Sequence, residues 1–210
     1  MNFWDKYASD FDAIYGTKNN WFNTLINKLF RKSMKIRYQK TLNAIPDGKV
    51  SVLDIGCGPG HYCFSLAQNS NREISGIDYS ENMISLAKDH AKELGLNDKI
   101  DFQVVDFNDF KPNQKFDYSI MMGFIEYFEN PGHIIKKALD VTRQQVFISF
   151  PKAGGLLAYQ RKLRYKKRCY LKLFSRNDIS LLMQNLNIND YIIEKIGRDF
   201  FVTINPDHIL

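Results

Sequence analysis

The stretch V-S-V-L-D-I-G-C-G-P-G, from Val50 to Gly60, constrains this chain more than any other. Val50, Val52, Leu53 and Ile55 supply the β-branched and aliphatic residues of a buried strand. Gly56, Gly58 and Gly60 follow at every second position and remove each Cβ that would keep a ligand from the backbone. A buried strand that runs straight into such a loop is a nucleotide-cradling unit of an α/β fold.

The spacing narrows the ligand. A dinucleotide loop reads G-x-G-x-x-G, with its third glycine opening a helix onto a pyrophosphate. Here the run is G-x-G-x-G, and Asp54 precedes it. A pyrophosphate would be repelled by that carboxylate, whereas the α-ammonium of a methionine moiety suits it and an adenosine can lie along the bare glycines. S-adenosylmethionine has both parts. The next strand, Glu73 to Asp78, ends in an acid 22 positions after Gly56, where a carboxylate can accept from both ribose hydroxyls, a feature NAD sites share. A third strand, Ile100 to Val105, leads into Asp106 and Phe107. That carboxylate can accept from an adenine amino group while the aromatic ring covers the base. Each residue also has a plainer reading: Asp78 as a helix cap, Asp106 with Asn108 and Asp109 as turn formers, Met83 and Phe107 as core.

The order of segments supports the same architecture. Phe3 to Tyr15 reads as a short helix or arm, and Trp21 to Ile45 as a longer helix that Pro46-Asp47-Gly48 ends. Helices are expected over Tyr62 to Gln68, Glu81 to Leu94 and Gly132 to Val141, alternating with the three strands above and with Phe116 to Met122 and Gln145 to Phe150. Such alternation makes a parallel sheet covered on both faces. A segment of about two dozen residues follows Pro151, Ser175 caps a helix over Arg176 to Leu186, and Tyr191 to Ile196 and Phe200 to Ile204 form a hairpin around Gly197-Arg198-Asp199.

These motifs together resemble the class I S-adenosylmethionine-dependent methyltransferases. The likeness rests on L-D-I-G-C-G-P-G at Leu53 to Gly60, G-I-D-Y-S at Gly76 to Ser80 with Met83 following, V-V-D-F at Val104 to Phe107, and F-D-Y-S-I-M-M-G-F at Phe116 to Phe124. It implies a Rossmann-like, doubly wound seven-stranded sheet with an antiparallel last strand, an N-terminal helical arm and an insertion after strand five. It implies a cofactor site of Asp54, Gly56, Gly58, Gly60, Asp78, Tyr79, Met83, Asp106, Phe107, Met122 and Gly123, with Tyr7 of the arm closing over it. The arm, the loop, S-F-P at Ser149 to Pro151 and the basic insertion together resemble the small-molecule O-methyltransferases of the magnesium-protoporphyrin and quinone-biosynthesis type, and also methyltransferases of cell-surface glycan and lipid pathways.

A length of 210 residues gives one domain with a full core, divided as an arm or lid over 1–45 and a methyltransferase domain over 46–210, with 151–174 as a basic insertion that covers the substrate. The chain lacks a long uncharged apolar run, and its start has neither a basic n-region nor an h-region, so neither export nor membrane spanning is expected. Cys57, Cys63 and Cys169 lack metal-ligand spacing and read as free thiols of a cytoplasmic protein.

The net charge of +6 is local. Between Val141 and Asn177 stand ten Lys or Arg residues and no acid, and the rest of the chain carries 19 basic against 23 acidic residues. A solvated helix face, an acidic or lipid-linked substrate, the inner membrane face and RNA compete for that patch. The N/D-P-P-[YF] motif of base methylation is missing after strand four, where the chain reads M-M-G-F-I-E-Y-F, and this favours the small molecule over RNA. Tyr15, Arg37, Tyr159, Arg161 and Arg164 are the candidate substrate contacts, with Arg31 a weaker one. Glu126 and Tyr127, just after strand four, are the candidate catalytic residues, and His61 and His133 read as loop and helix-start residues. The expected activity is therefore methyl transfer to an acidic or lipid-linked small molecule at oxygen. An RNA or protein methyltransferase and a non-catalytic cofactor-binding module are the alternatives.

Overall fold

The computed structural model describes the backbone of residues 21–68, 70–165 and 169–206, and their side chains except 21–32, 156, 157, 160, 164 and 165. The expected Phe3 to Tyr15 arm, with Tyr7 and Tyr15, lies outside the described residues, as do the side chains of Arg31 and Arg164.

Seven strands make one sheet. They are β1 (Ser51–Ile55), β2 (Glu73–Asp78), β3 (Ile100–Val104), β4 (Phe116–Met121), β5 (Thr142–Pro151), β6 (Tyr191–Ile196) and β7 (Asp199–Ile204). Their order across the sheet is β3-β2-β1-β4-β5-β7-β6. The first five run parallel, and β7 is antiparallel to both β5 and β6. The chain is thus the expected doubly wound sheet with an antiparallel last strand. The winding reverses between β1 and β4, and in such sheets ligands meet the carboxyl ends of the strands at that switch point.

Helices α1 (Trp21–Ala44), α2 (His61–Ala67), α3 (Glu81–Glu93), α4 (Pro131–Asp140), α5 (Leu156–Tyr165) and α6 (Arg176–Asn185) flank the sheet. Two apolar layers hold them, as a sheet buried on both faces requires. One layer gathers Leu53, Ile55, Ile135, Ile148, Phe150 and Phe174, and the other Val52, Leu66, Ile84, Ala87, Ile120 and Phe147. Side-chain caps fix the helix starts. Ser80 accepts from the Met83 amide to begin α3, and Ser175 forms a reciprocal capping box with Asp178 to begin α6.

Strand β5 starts at Thr142, three residues before the expected Gln145. The buried Thr142 hydroxyl contacts Ser119 and donates to the Ala138 carbonyl, so this polar residue is satisfied inside the sheet. After β5 the insertion forms α5 and an extended return that pairs Phe174 with Lys152. α1 is docked on the β6–β7 hairpin: Lys40 pairs with Glu194 at 2.7 Å, and the Arg198 amide donates to Ser33 Oγ at 3.3 Å. Among the described residues no helix is long and apolar enough to cross a membrane.

Candidate active site

β1 ends under the glycine loop, and the loop is pinned to the neighbouring strand. The amides of Gly56 and Cys57 both donate to the Ile77 carbonyl, at 2.9 and 3.0 Å. Gly56 has φ +72°, and a Cβ there would stand 2.3 Å from the Phe124 ring, so both conformation and contact demand glycine. At Gly58, by contrast, a Cβ would meet nothing within 4 Å. That space belongs to a cavity of about 760 Å³ at the carboxyl ends of the strands, within the size range of small-molecule sites.

The sequence-derived residues fall into this cavity in a graded way. Asp54, Gly56, Gly58, Asp78, Tyr79, Met83, Asp106, Phe107, Met122 and Gly123 all line it, and Gly60 lies next to the wall formed by Pro59 and His61. The Asp78 carboxylate accepts from the Gly58 amide at 3.0 Å and the Ser80 amide at 2.9 Å, which fixes its orientation. A carboxylate so oriented, at the end of β2 and in the cavity wall, is of the type that accepts from a ribose diol. Asp106 accepts from the Asn108 amide and side chain, so its turn-forming role is real alongside any adenine contact. Asp54 is buried beside the Cys63 thiol, which donates to it at 3.4 Å. Burial first, then the nearby Asp78 charge, push its pKa up to about 7. A cation brought against Asp54 would relieve that desolvated carboxylate. The open glycine cradle, the oriented Asp78 and the buried Asp54 thus fit S-adenosylmethionine.

A second wall comes from elements far apart in sequence. Phe124, the 3-10 turn over Ile125–Tyr127, and Phe128 follow β4, while α1 supplies Arg37, α5 supplies Arg161 and the β6–β7 hairpin supplies Asp199. These side chains form a buried chain of alternating charge. Arg37 pairs with Asp199 at 3.4 Å, Asp199 with Arg161 at 3.2 Å, and Arg161 with Glu126 at 3.0 Å. Arg37 also donates to Ser149 Oγ and the Tyr62 hydroxyl. Burial opposes the Arg37 charge, but Tyr62 and Asp199 outweigh it and hold the guanidinium above its ordinary pKa.

Glu126 is 1% exposed, and its backbone carbonyl accepts from the Lys172 amide of the insertion at 2.9 Å. Burial raises its pKa, and Arg161 opposes the rise. One carboxylate oxygen is used by Arg161, and the other, Oε2, is buried with no hydrogen-bond partner among the described residues. Tyr127 lines the same space.

Tyr159 is 62% exposed and stands outside the residues that line the cavity, on the side of α5 away from Arg161. Arg37 and Arg161, expected to hold an acidic substrate, are each already paired with carboxylates. Asp199, Tyr38, Tyr62 and Phe128 line the cavity without having been singled out. S-F-P at Ser149 to Pro151 and the Gly197-Arg198-Asp199 turn were the local signals near Asp199.

A methyltransferase domain model matches residues 46–170. The chain is 37% identical over 94 residues to a protein-lysine N-methyltransferase of Saccharomyces cerevisiae and 37% identical over 86 residues to the ubiquinone biosynthesis O-methyltransferase of Coxiella burnetii. These matches cover 43% and 40% of the chain, and 41% and 36% of the relatives. The chain therefore spans less than half the length of these curated relatives. The magnesium protoporphyrin IX methyltransferase of Synechocystis, crystallised with bound S-adenosylhomocysteine, shares the fold with a TM-score of 0.72 at 19% identity, over 96% of each chain. With the glycine loop, the acid-tipped strands and the sheet order in place, the chain belongs to the methyltransferase-domain family of S-adenosylmethionine-dependent enzymes.

Proposed function

We propose that the protein transfers a methyl group from S-adenosylmethionine to a hydroxyl oxygen of an acidic or lipid-linked small molecule. The observation that carries the reading is the buried Oε2 of Glu126, unpartnered among the described residues, in the wall of the cavity that also holds the glycine loop. An acceptor oxygen left unsatisfied in a buried place costs free energy until a donor reaches it. A substrate hydroxyl supplies that donor, whereas an ionised carboxylate would meet like charge. Arg161 holds the Glu126 carboxylate in place, and burial raises its proton affinity, so Oε2 can take the hydroxyl proton as the oxygen attacks. When bound, S-adenosylmethionine supplies an electrophilic methyl carbon on a positively charged sulfur. The glycine loop, Asp54 and Asp78 orient it, while Phe124, Tyr127 and Phe128 give the acceptor an apolar wall and exclude water. The basic insertion above this wall supports an acidic or lipid-linked body for the acceptor.

The same oxygen would accept from an ammonium, and a lysine acceptor, the substrate class in the yeast relative's name, is the competing reading. Methyl transfer from isotope-labelled S-adenosylmethionine into fractionated acidic metabolites, lipids and proteins, read by mass spectrometry, separates the two. Label in a hydroxyl-bearing small molecule is expected, and its loss in Glu126→Gln. Label confined to protein, or to carboxylate esters, would overturn the proposal.

A further inference from the structure

The two ends of the Arg161 guanidinium serve different carboxylates. Nη2 donates to Oε1 of Glu126 at 3.0 Å, and Nη1 donates to Oδ1 of Asp199 at 3.2 Å. A guanidinium that faces a single carboxylate closes on both of its oxygens with two parallel bonds. Asp199 prevents that here, and Oε2 of Glu126 is left without a partner among the described residues. Asp199 is held from its other side, where Oδ2 accepts from Arg37 at 3.4 Å. It opens β7 between Pro151 of β5 and Ile196 of β6, so the sheet fixes its place.

An ion pair built for stability alone would use both ends of Arg161 on Glu126, because a buried acceptor without a donor is destabilising. We propose that Asp199 is a positioning residue for methyl transfer: by occupying one end of Arg161 it keeps the guanidinium from closing on Glu126 and leaves Oε2 able to take a proton in the cavity. The groups that act on Glu126 come from several elements. They are Arg161 of α5, Asp199 and Arg198 of the β6–β7 hairpin, Arg37 of α1 with its partner Tyr62 of α2, and Tyr127 on the same turn. Lys172 of the return segment meets the Glu126 carbonyl through its amide. α4, which also packs on that turn, keeps His133, Lys136 and Asp140 exposed and directs Lys137 to the Asn108 carbonyl. The role in methyl transfer rests on Glu126 as the base, proposed above; the sharing of Arg161 does not.

Carbon-13 NMR of the glutamate carboxyls in the full chain, with the Glu126 signal assigned by its loss in Glu126→Gln, reads the proton directly. Asp199→Asn removes a negative charge and weakens the hold on Nη1, so the Glu126 titration midpoint is expected to fall by about 1 pH unit. Arg37→Gln removes a positive charge and leaves Asp199 to Arg161 alone, so the midpoint is expected to rise by about as much. A merely structural loosening would move both variants the same way, toward an ordinary glutamate. Midpoints that stay in place, or that move together, would overturn the proposal. If Asp199→Asn does not fold, Arg37→Gln decides, and a midpoint that is unchanged or lowered overturns it. The rate of label transfer from S-adenosylmethionine into the small-molecule extract, followed against pH, is expected to shift its acid limb with each midpoint. Opposite midpoint shifts with an acid limb that follows neither would uphold the sharing of Arg161 and remove Glu126 as the base.

Discussion

A carboxylate buried beside a thiol and another acid is an unstable arrangement unless a cation is to come, and Asp54 is in that position. Its folded pKa, about 7, lies above its ordinary 3.8, so the native state holds the proton more tightly than the unfolded chain does. Its contribution to stability is therefore greatest at low pH and is lost as pH rises toward about 7. Asp54→Asn is expected to stabilise the ligand-free protein by an amount that grows across that window, to at most about 4 kcal/mol, in urea unfolding at several pH values. In the wild type, affinity for S-adenosylmethionine is expected to rise between about pH 5.5 and about pH 7 as Asp54 ionises, and Asp54→Asn should flatten the rise. At the other end of the cavity, Arg161→Met would strand Glu126 without its buried cation. Equilibrium unfolding is expected to show a loss of about 3 kcal/mol. A loss under about 1 kcal/mol would mean that the ion chain is not held as tightly as its geometry indicates.

Elements differ in how plainly the sequence announces them, and the reason is the range of the interactions that make them. The β1 strand and its glycine loop are local, since alternate glycines after a run of Val, Leu and Ile leave few other conformations. Gly56→Ala is accordingly expected to cost about 1–2 kcal/mol from backbone conformation alone, with more from the Phe124 ring. It should also abolish S-adenosylmethionine binding, as thermal melts and calorimetry on the same sample would show. The α6 start was equally legible, because Ser175 and Asp178 cap it within one turn. The wall around Glu126 was only half legible. Glu126 and Arg161 could be named from their places after β4 and in the insertion, but Asp199 could not, because its partner Arg37 lies 162 positions away. Such pairs exist only once α1, α5 and the β6–β7 hairpin have been brought together. The outward turn of Tyr159 was also hidden, since which face of α5 meets the cavity depends on Ala158 and Arg161 packing inward.

For the whole molecule, the topology was readable from alternation and from the resemblance, and the sheet order β3-β2-β1-β4-β5-β7-β6 follows it. The charge of the chain is readable too, as a cationic segment of 37 residues on an otherwise acidic domain. What the topology does is bring three acid-tipped strands, one glycine loop and the covering elements to a single cavity. A ligand that binds there and not to the unfolded chain must stabilise the fold, by about 2.7 kcal/mol at a hundredfold excess over its dissociation constant. Calorimetric titration of the folded protein with S-adenosylmethionine, on the wild type and on Asp78→Ala, tests most directly that this cavity is a cofactor site built around Asp78. Binding in roughly the micromolar range that Asp78→Ala abolishes is the expected result. No binding by folded wild type, or equal binding by the variant, would contradict it.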